Sequence, residues 1–231
     1  KLQAAIVRLV VAGDSLAAPE KAGDIADAPP EVTKQLSQAQ QETFGANLTA
    51  LDAFLAPVCA SMPVDLMPGD NDPCSSLLPQ QPMHSCLLAQ ASRFTTQSMV
   101  SNPYRFEADG VDFLGTSGQP IADMQRYLPG DDRLATLVET LELRHLAPTA
   151  PDTLGCQPFT TMDPFVLESS PAVYFAGNQP AYATMEHKGV RVVCVPDFSR
   201  EHTLVLLNLR TRECTPVTFE LALDGTAPME E

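Results

Sequence analysis

Val64-Asp65-Leu66-Met67-Pro68-Gly69-Asp70-Asn71-Asp72 is an apolar run that stops at a glycine and a cluster of carboxylates. Val7-Arg8-Leu9-Val10-Val11-Ala12-Gly13-Asp14 has the same design and lies about one helix upstream. Continuous runs of Val, Leu and Met bounded by turn residues mark strands buried on both faces. Between them, Phe44, Leu48, Leu51 and Leu55 recur at helical spacing, with Phe54 and Val58 widening the stripe. A helix over residues 31–59, ended by Met62-Pro63, makes this a strand, crossover helix, strand unit and predicts two parallel strands. Both strands end in acidic groups, and strand C-terminal ends are where α/β folds build metal or catalytic sites.

Working outward, Ser15 to Pro30 is polar and reads as a loop, and residues 68–104 are rich in Pro, Gln and Ser with a short helical candidate at 86–91. Asp109-Gly110 between two alternating runs predicts a hairpin over 105–115. Asp131 is placed to cap a helix with the stripe Leu134, Leu137, Val138 and Leu141. Val173 to Ala176 reads as a strand ending at Gly177-Asn178. Runs at 190–195, 204–209 and 214–219 read as close-set antiparallel strands. The expected fold class is α/β, with two packed mixed β-sheets flanked by helices. The expected organisation is one domain over 1–222 and an acidic tail over 223–231.

The chain has 231 residues, 29 acidic against 14 basic, a net charge of −15. Phosphate recognition needs clustered Lys and Arg, so direct nucleic-acid binding is disfavoured and partners should offer basic or apolar surface. The six cysteines include no Cys-x-x-Cys pair, which excludes the common zinc-ribbon spacing. They read as free thiols in a reducing compartment, with Cys156 and Cys194 buried. No secretory leader is visible, and no apolar run is expected to span a membrane.

Two chemistries are open at the strand ends. Asp14 is a reasonable ligand for a metal-dependent phosphoesterase, or it simply caps its turn. Gly13-Asp14-Ser15-Leu16 spells the motif of the GDSL-type hydrolases, with Ser15 as nucleophile and Gly69 and Asn71 at an oxyanion hole. That chemistry needs a histidine base oriented by an acid. Only His84, His145, His187 and His202 are present, none in an Asp-x-x-His context; Glu142 with His145 is a poor substitute. His84 reads as structural.

Longer segments carry a resemblance. They are Pro63 to Gly69, Leu78-Pro79-Gln80-Gln81-Pro82-Met83-His84, Asn102-Pro103-Tyr104, Asp109-Gly110-Val111 and Phe113-Leu114-Gly115-Thr116-Ser117-Gly118-Gln119. Pro148 to Cys156, Val173-Tyr174-Phe175-Ala176-Gly177-Asn178 and Val195-Pro196-Asp197-Phe198-Ser199 complete the order. Over almost its whole length the chain resembles the small B-subunits of DNA polymerase delta, which are similar in fold to calcineurin-like metallophosphoesterases. That likeness implies a vestigial site at Asp14, Asp70, Asn71, Asp72, Asn178 and Gln179. Asn71 stands where the catalytic histidine belongs, and Gly177-Asn178-Gln179-Pro180 replaces Gly-His-x-His. Amides cannot shuttle protons as imidazole does near neutral pH. The resemblance therefore implies no enzyme activity and no cofactor or metal. It implies an accessory subunit that holds the C-terminal metal-binding domain of the catalytic subunit and carries a further small subunit. It would act with the sliding clamp indirectly, reach DNA only through the complex, sit in the nucleus and touch no membrane. An oligonucleotide-binding-type barrel and a leading strand are expected to lie outside this chain.

Overall fold

A computed structural model describes residues 6–16 and 38–220. The loop expected over 15–30, the first turns of the helix expected from residue 31, and the acidic tail lie partly or wholly outside the described residues. The strand, helix, strand unit forms as expected: β1 (Leu9–Ala12) pairs in parallel with β2 (Val64–Met67), and α1 (Gln38–Ser61) connects them. A third strand, β3 (Gln97–Met99), adds in parallel to β2 within the Pro-, Gln- and Ser-rich segment, where no strand was expected. The helical candidate at 86–91 is instead two single 3₁₀ turns, Ser85–Leu87 and Ala91–Arg93. Asp52 of α1 holds the second of these: its carboxylate accepts the N–H groups of Gln90 and Ala91 at 2.9 and 2.8 Å.

The second sheet has five strands in the order β4, β5, β6, β8, β7. β4 (Tyr104–Ala108) and β5 (Val111–Thr116) form the expected hairpin, with Asp109 and Gly110 both at positive φ, 49° and 76°. Two left-handed residues give the turn whose twist matches the strands it joins. β6 (Val173–Gln179) runs parallel to β5 and to β8 (Val190–Pro196). The 190–195 run is therefore not simply one of an antiparallel series: it is a central strand, antiparallel only to β7 (Ala183–His187). β9 (Thr203–Leu207) and β10 (Cys214–Thr218) are the expected antiparallel pair. Two helices follow sheet strands on this side, α2 (Gln119–Gln125) and α3 (Arg133–Leu143), and α4 (Phe198–Glu201) is a single turn. The cap of α3 is Asp132, whose carboxylate accepts the Ala135 N–H at 2.9 Å; Asp131, one residue early, pairs with Arg133 instead.

Side-chain alternation sorts these strands into layers. Val10, Ala12 and Met67 from the three-stranded sheet meet Phe113, Val173, Phe175 and Val193 from the five-stranded sheet, forming the seam between the sheets. The opposite faces carry the other parity. Leu9, Val11, Val64 and Leu66 pack against Leu55 and Cys59 of α1. Leu114, Tyr174, Val192 and Cys194 pack against Leu137 and Leu141 of α3, and the fully buried Tyr174 hydroxyl bonds Thr140 at 3.0 Å. The fold is thus α/β, two packed sheets flanked by helices; the three-stranded sheet is parallel throughout and the five-stranded sheet is mixed.

Two expectations need correction. Cys194 is buried as expected but Cys156 is only half-buried; all six thiols are free. The segment Ala39–Ser61 is long and apolar enough to cross a membrane by length and composition. Its buried residues Leu55 and Cys59 and its carboxylate Asp52 are engaged with the sheet and the 3₁₀ turn, as a crossover helix requires.

Candidate functional site

β1 and β2 are parallel within one sheet and β5 and β6 within the other, and hydrogen bonds bring the loops at their C-terminal ends together. Asp14 follows β1, Asp70, Asn71 and Asp72 follow β2, Ser117 follows β5, and Asn178 and Gln179 close β6. Hydrogen bonds and close approaches join most of these residues. Gly69 and Gly177 make the approach possible. A Cβ on Gly69 would lie 2.3 Å from the Asp14 nitrogen, and one on Gly177 would lie 2.4 Å from the Ala12 carbonyl oxygen.

The acidic groups are occupied by backbone. Asp72, buried, accepts the N–H groups of Gly69 at 2.8 Å, Leu16 at 3.2 Å and Ser15 at 3.3 Å, and the Ser15 hydroxyl at 3.4 Å. Asp14, at φ 53°, accepts the Asn71 N–H at 2.8 Å. Asn178, at φ 54°, donates through its amide to the carbonyls of Ala12 at 3.2 Å and Ser117 at 2.9 Å. Gln179, buried, donates to the Gly177 carbonyl at 2.7 Å. Asp70 is exposed. Asp14, Asp72 and Asn178 thus staple four loops to one another, whereas the Gln179 bond stays within β6 and leaves its buried Oε1 without a partner.

A second set of staples was invisible to sequence reasoning. Asn102 donates to Gln80 Oε1 at 2.7 Å, Ser117 Oγ at 2.7 Å and Gln119 Oε1 at 2.9 Å, and accepts the Ser117 N–H at 3.1 Å. Gln80 in turn donates to the Gly69 carbonyl at 3.0 Å. Asn102 and Gln80 are fully buried. They sit in Pro-flanked segments without periodicity, so only their neighbours in space reveal them.

Burial raises the carboxyls of Asp14 and Asp72 above their ordinary range. For Asp14, repulsion from Asp72, Asp70 and Asp197 adds to the shift, and its bond from Asn71 opposes it. For Asp72, the N–H donors oppose it. Burial, and then the charges of Asp72, Asp14 and Asp70, push the Cys74 thiol up to about 11, so it stays protonated and unreactive. A carboxyl raised on folding takes up a proton more readily folded than unfolded. Its charge penalty is absent at acid pH and grows as pH rises from the ordinary carboxylate value through the raised one. Asp14→Asn keeps the acceptor and tolerates positive φ. It is therefore expected to hold or gain stability at pH 7 and to flatten the fall in stability between pH 4 and 7. Urea unfolding at the two pH values checks this.

No histidine serves the site. His84 accepts the Cys86 N–H at 3.2 Å, His145 pairs with Asp163 at 2.9 Å, His187 pairs with Glu142, and His202 packs edge-on to Phe198. Ser15 Oγ therefore meets a carboxylate rather than an imidazole, and Glu142 partners His187 rather than His145. The donor set does not suit a two-metal centre either. Such centres want imidazoles and carboxylates with free lone pairs, whereas Asp72 is taken up by N–H donors. Among the described residues, no three His, Cys, Asp or Glu side chains gather as a metal-binding group.

A family model for the DNA polymerase alpha/epsilon B-subunits matches residues 2–184. The chain belongs to this B-subunit family. Among its relatives, the DNA polymerase delta small subunit of Oryza sativa subsp. japonica is 43% identical over 95% of this chain and 51% of its own length. DNA polymerase delta subunit 2 of Drosophila melanogaster is 41% identical over 94% of this chain and 50% of its own length. The DNA polymerase delta small subunit of Saccharomyces cerevisiae is 35% identical, covering 76% and 43%. The chain thus spans about half the length of the curated relatives it matches. A solved structure described as a novel archaeal phosphodiesterase overlays with a TM-score of 0.43 at 11% identity, covering 74% of this chain and 76% of that one. So loose an overlay carries no argument. The relatives in the B-subunit family are named as polymerase small subunits, not as hydrolases.

Proposed function

We propose that this chain belongs to a non-catalytic accessory subunit of DNA polymerase delta. The observation that carries the proposal is the 43% identity to a polymerase delta small subunit over 95% of the chain. The site supports it: Asp14, Asp72 and Asn178 brace loops, and no histidine reaches the site to act as a base. In this reading Asp14, Asp70, Asn71, Asp72, Asn178 and Gln179 are the remains of a calcineurin-like phosphoesterase centre. Residues 1–222 are the phosphoesterase-like domain, and 223–231 are an acidic tail. The protein links the catalytic subunit's C-terminal metal-binding domain to a further small subunit in the nucleus. It meets the sliding clamp and DNA only through the assembly, consistent with a net charge of −15.

Affinity purification of the full-length protein from its own cells tests the assignment. The polymerase catalytic subunit is expected in stoichiometric yield, and its absence would refute the assignment. Catalysis is tested separately. With a nitrophenyl phosphodiester and manganese the full-length protein is expected to show no turnover, and a fluorophosphonate probe is expected not to label Ser15. Turnover lost in Asp14→Asn, or labelling lost in Ser15→Ala, would restore an enzymatic reading.

A further inference from the structure

The five-stranded sheet ends at β7, whose outer edge pairs with nothing among the described residues. An open edge is a template for another strand, and proteins usually blunt it with Lys, Pro or a bulge. Ala183-Thr184-Met185-Glu186-His187 has no Lys or Pro, and its register with β8 is unbroken. The edge also opens onto a groove. Alternation puts Ala183, Met185 and His187 on the face that α3 covers. Between them and α3 lies a hollow of ≈ 430 Å³, its floor made by Leu134, Ala135, Val138 and Met185. Met185 is 37% exposed. Asp132 and Glu139 form the rim. At the far end Glu142 is already paired with His187 and with Lys188, the latter at 2.7 Å. Glu139 has no basic partner among the described residues.

We propose that the β7 edge and this groove dock an extended segment of a partner polypeptide by strand addition. The segment carries apolar side chains at alternate positions and a Lys or Arg facing Glu139. Geometry sets the pattern: an added strand lies about 4.8 Å from β7, and every second side chain falls on the α3 side. The acidic rim sets the charge, since a basic segment is attracted where an acidic one is repelled. This proposal rests on the accessory-subunit reading and names one surface through which that subunit would hold a partner.

The test uses the full-length subunit co-expressed with the polymerase catalytic subunit and the further small subunit. Amide exchange at 183–187 is expected to slow on assembly. Met185→Glu and the surface change Glu139→Lys are each expected to weaken co-elution at least about tenfold, as for residues central to an interface. Circular dichroism of the free variants should match the wild type, and Glu139→Lys perturbs no core contact. Co-elution of wild type and both variants alike, with unchanged exchange at 183–187, overturns the groove proposal and leaves the accessory reading intact. A wild-type subunit that never co-elutes overturns both. Protection of 183–187 in the free subunit that grows with its concentration assigns the edge to a second copy, and likewise overturns the proposal.

Discussion

Gly69→Ala is expected to destabilise the full-length protein by about 3 kcal/mol or more, the upper range for forcing atoms into a packed site. The added methyl meets backbone as well as side chain: it would sit 2.3 Å from the Asp14 nitrogen, which cannot swing away, and 2.4 Å from the Asp14 Oδ1. Relief requires the β1 and β2 loops to part. That breaks the Asp14 bond to Asn71 and the Asp72 bonds to Ser15 and Leu16 together. Gly45, on the exposed part of α1, is the control: a Cβ there meets nothing within 4 Å. Gly45→Ala should gain up to about 1 kcal/mol from helix propensity. Denaturant unfolding of the two variants gives the contrast, and equal midpoints would mean the loops are not locked together as described.

Arg8→Ala is expected to cost about 3–5 kcal/mol, the range for stranding one member of a buried ion pair. Asp65 lies on β2 with its side chain 3% exposed, facing the seam between the sheets. Arg8 meets it at 2.7 Å, and the Tyr104 hydroxyl adds a bond at 3.1 Å. The guanidinium also lies over the Phe106 ring, 5.4 Å from its centroid, within a stack that continues to Phe113. Burial and the neighbouring Asp65 push the Tyr104 phenol up to about 12, so it remains a donor. Because Arg8 is about one-third exposed, solvent moderates the loss toward the lower end of the range. The double variant Arg8→Met with Asp65→Leu should recover most of it, since no charge is then buried unpaired. Thermal melts of the single and double variants decide the point; a double variant no better than Arg8→Ala would rule out an uncompensated charge as the cause.

Strands buried on both faces were legible because their sequences are apolar runs, interrupted in β2 only by Asp65, and the 109–110 turn because only a few residue pairs accept positive φ twice. β3 and β7 were not. Gln97-Ser98-Met99 is three residues with no alternation, and Ala183 to His187 is an edge strand of largely polar residues. Both form because an adjacent strand offers a ladder, which is a tertiary cause. The α2 segment is seven residues with a proline at its start, too short to show a period. The acidic half of the site was legible, since strand-terminal Asp14 and Asp72 announce themselves. What those groups do was not: in sequence Asp72 is one of several polar residues in a turn, in space its carboxylate braces the β1 and β2 loops, and the buried amides of Gln80 and Asn102 resemble ordinary loop residues.

The central claim, that the strand-end carboxylates do no chemistry in the proposed polymerase accessory subunit, is tested most directly by reconstitution. The holoenzyme is assembled with the wild-type full-length subunit, with the Asp14→Asn/Asp70→Asn double variant, or without the subunit, and DNA synthesis and subunit stoichiometry are measured in each. The account predicts that wild type and double variant give the same assembly and the same synthesis, and that omission disrupts both. Normal assembly of the double variant with lost synthesis would contradict it, because the carboxylates would then be doing chemistry.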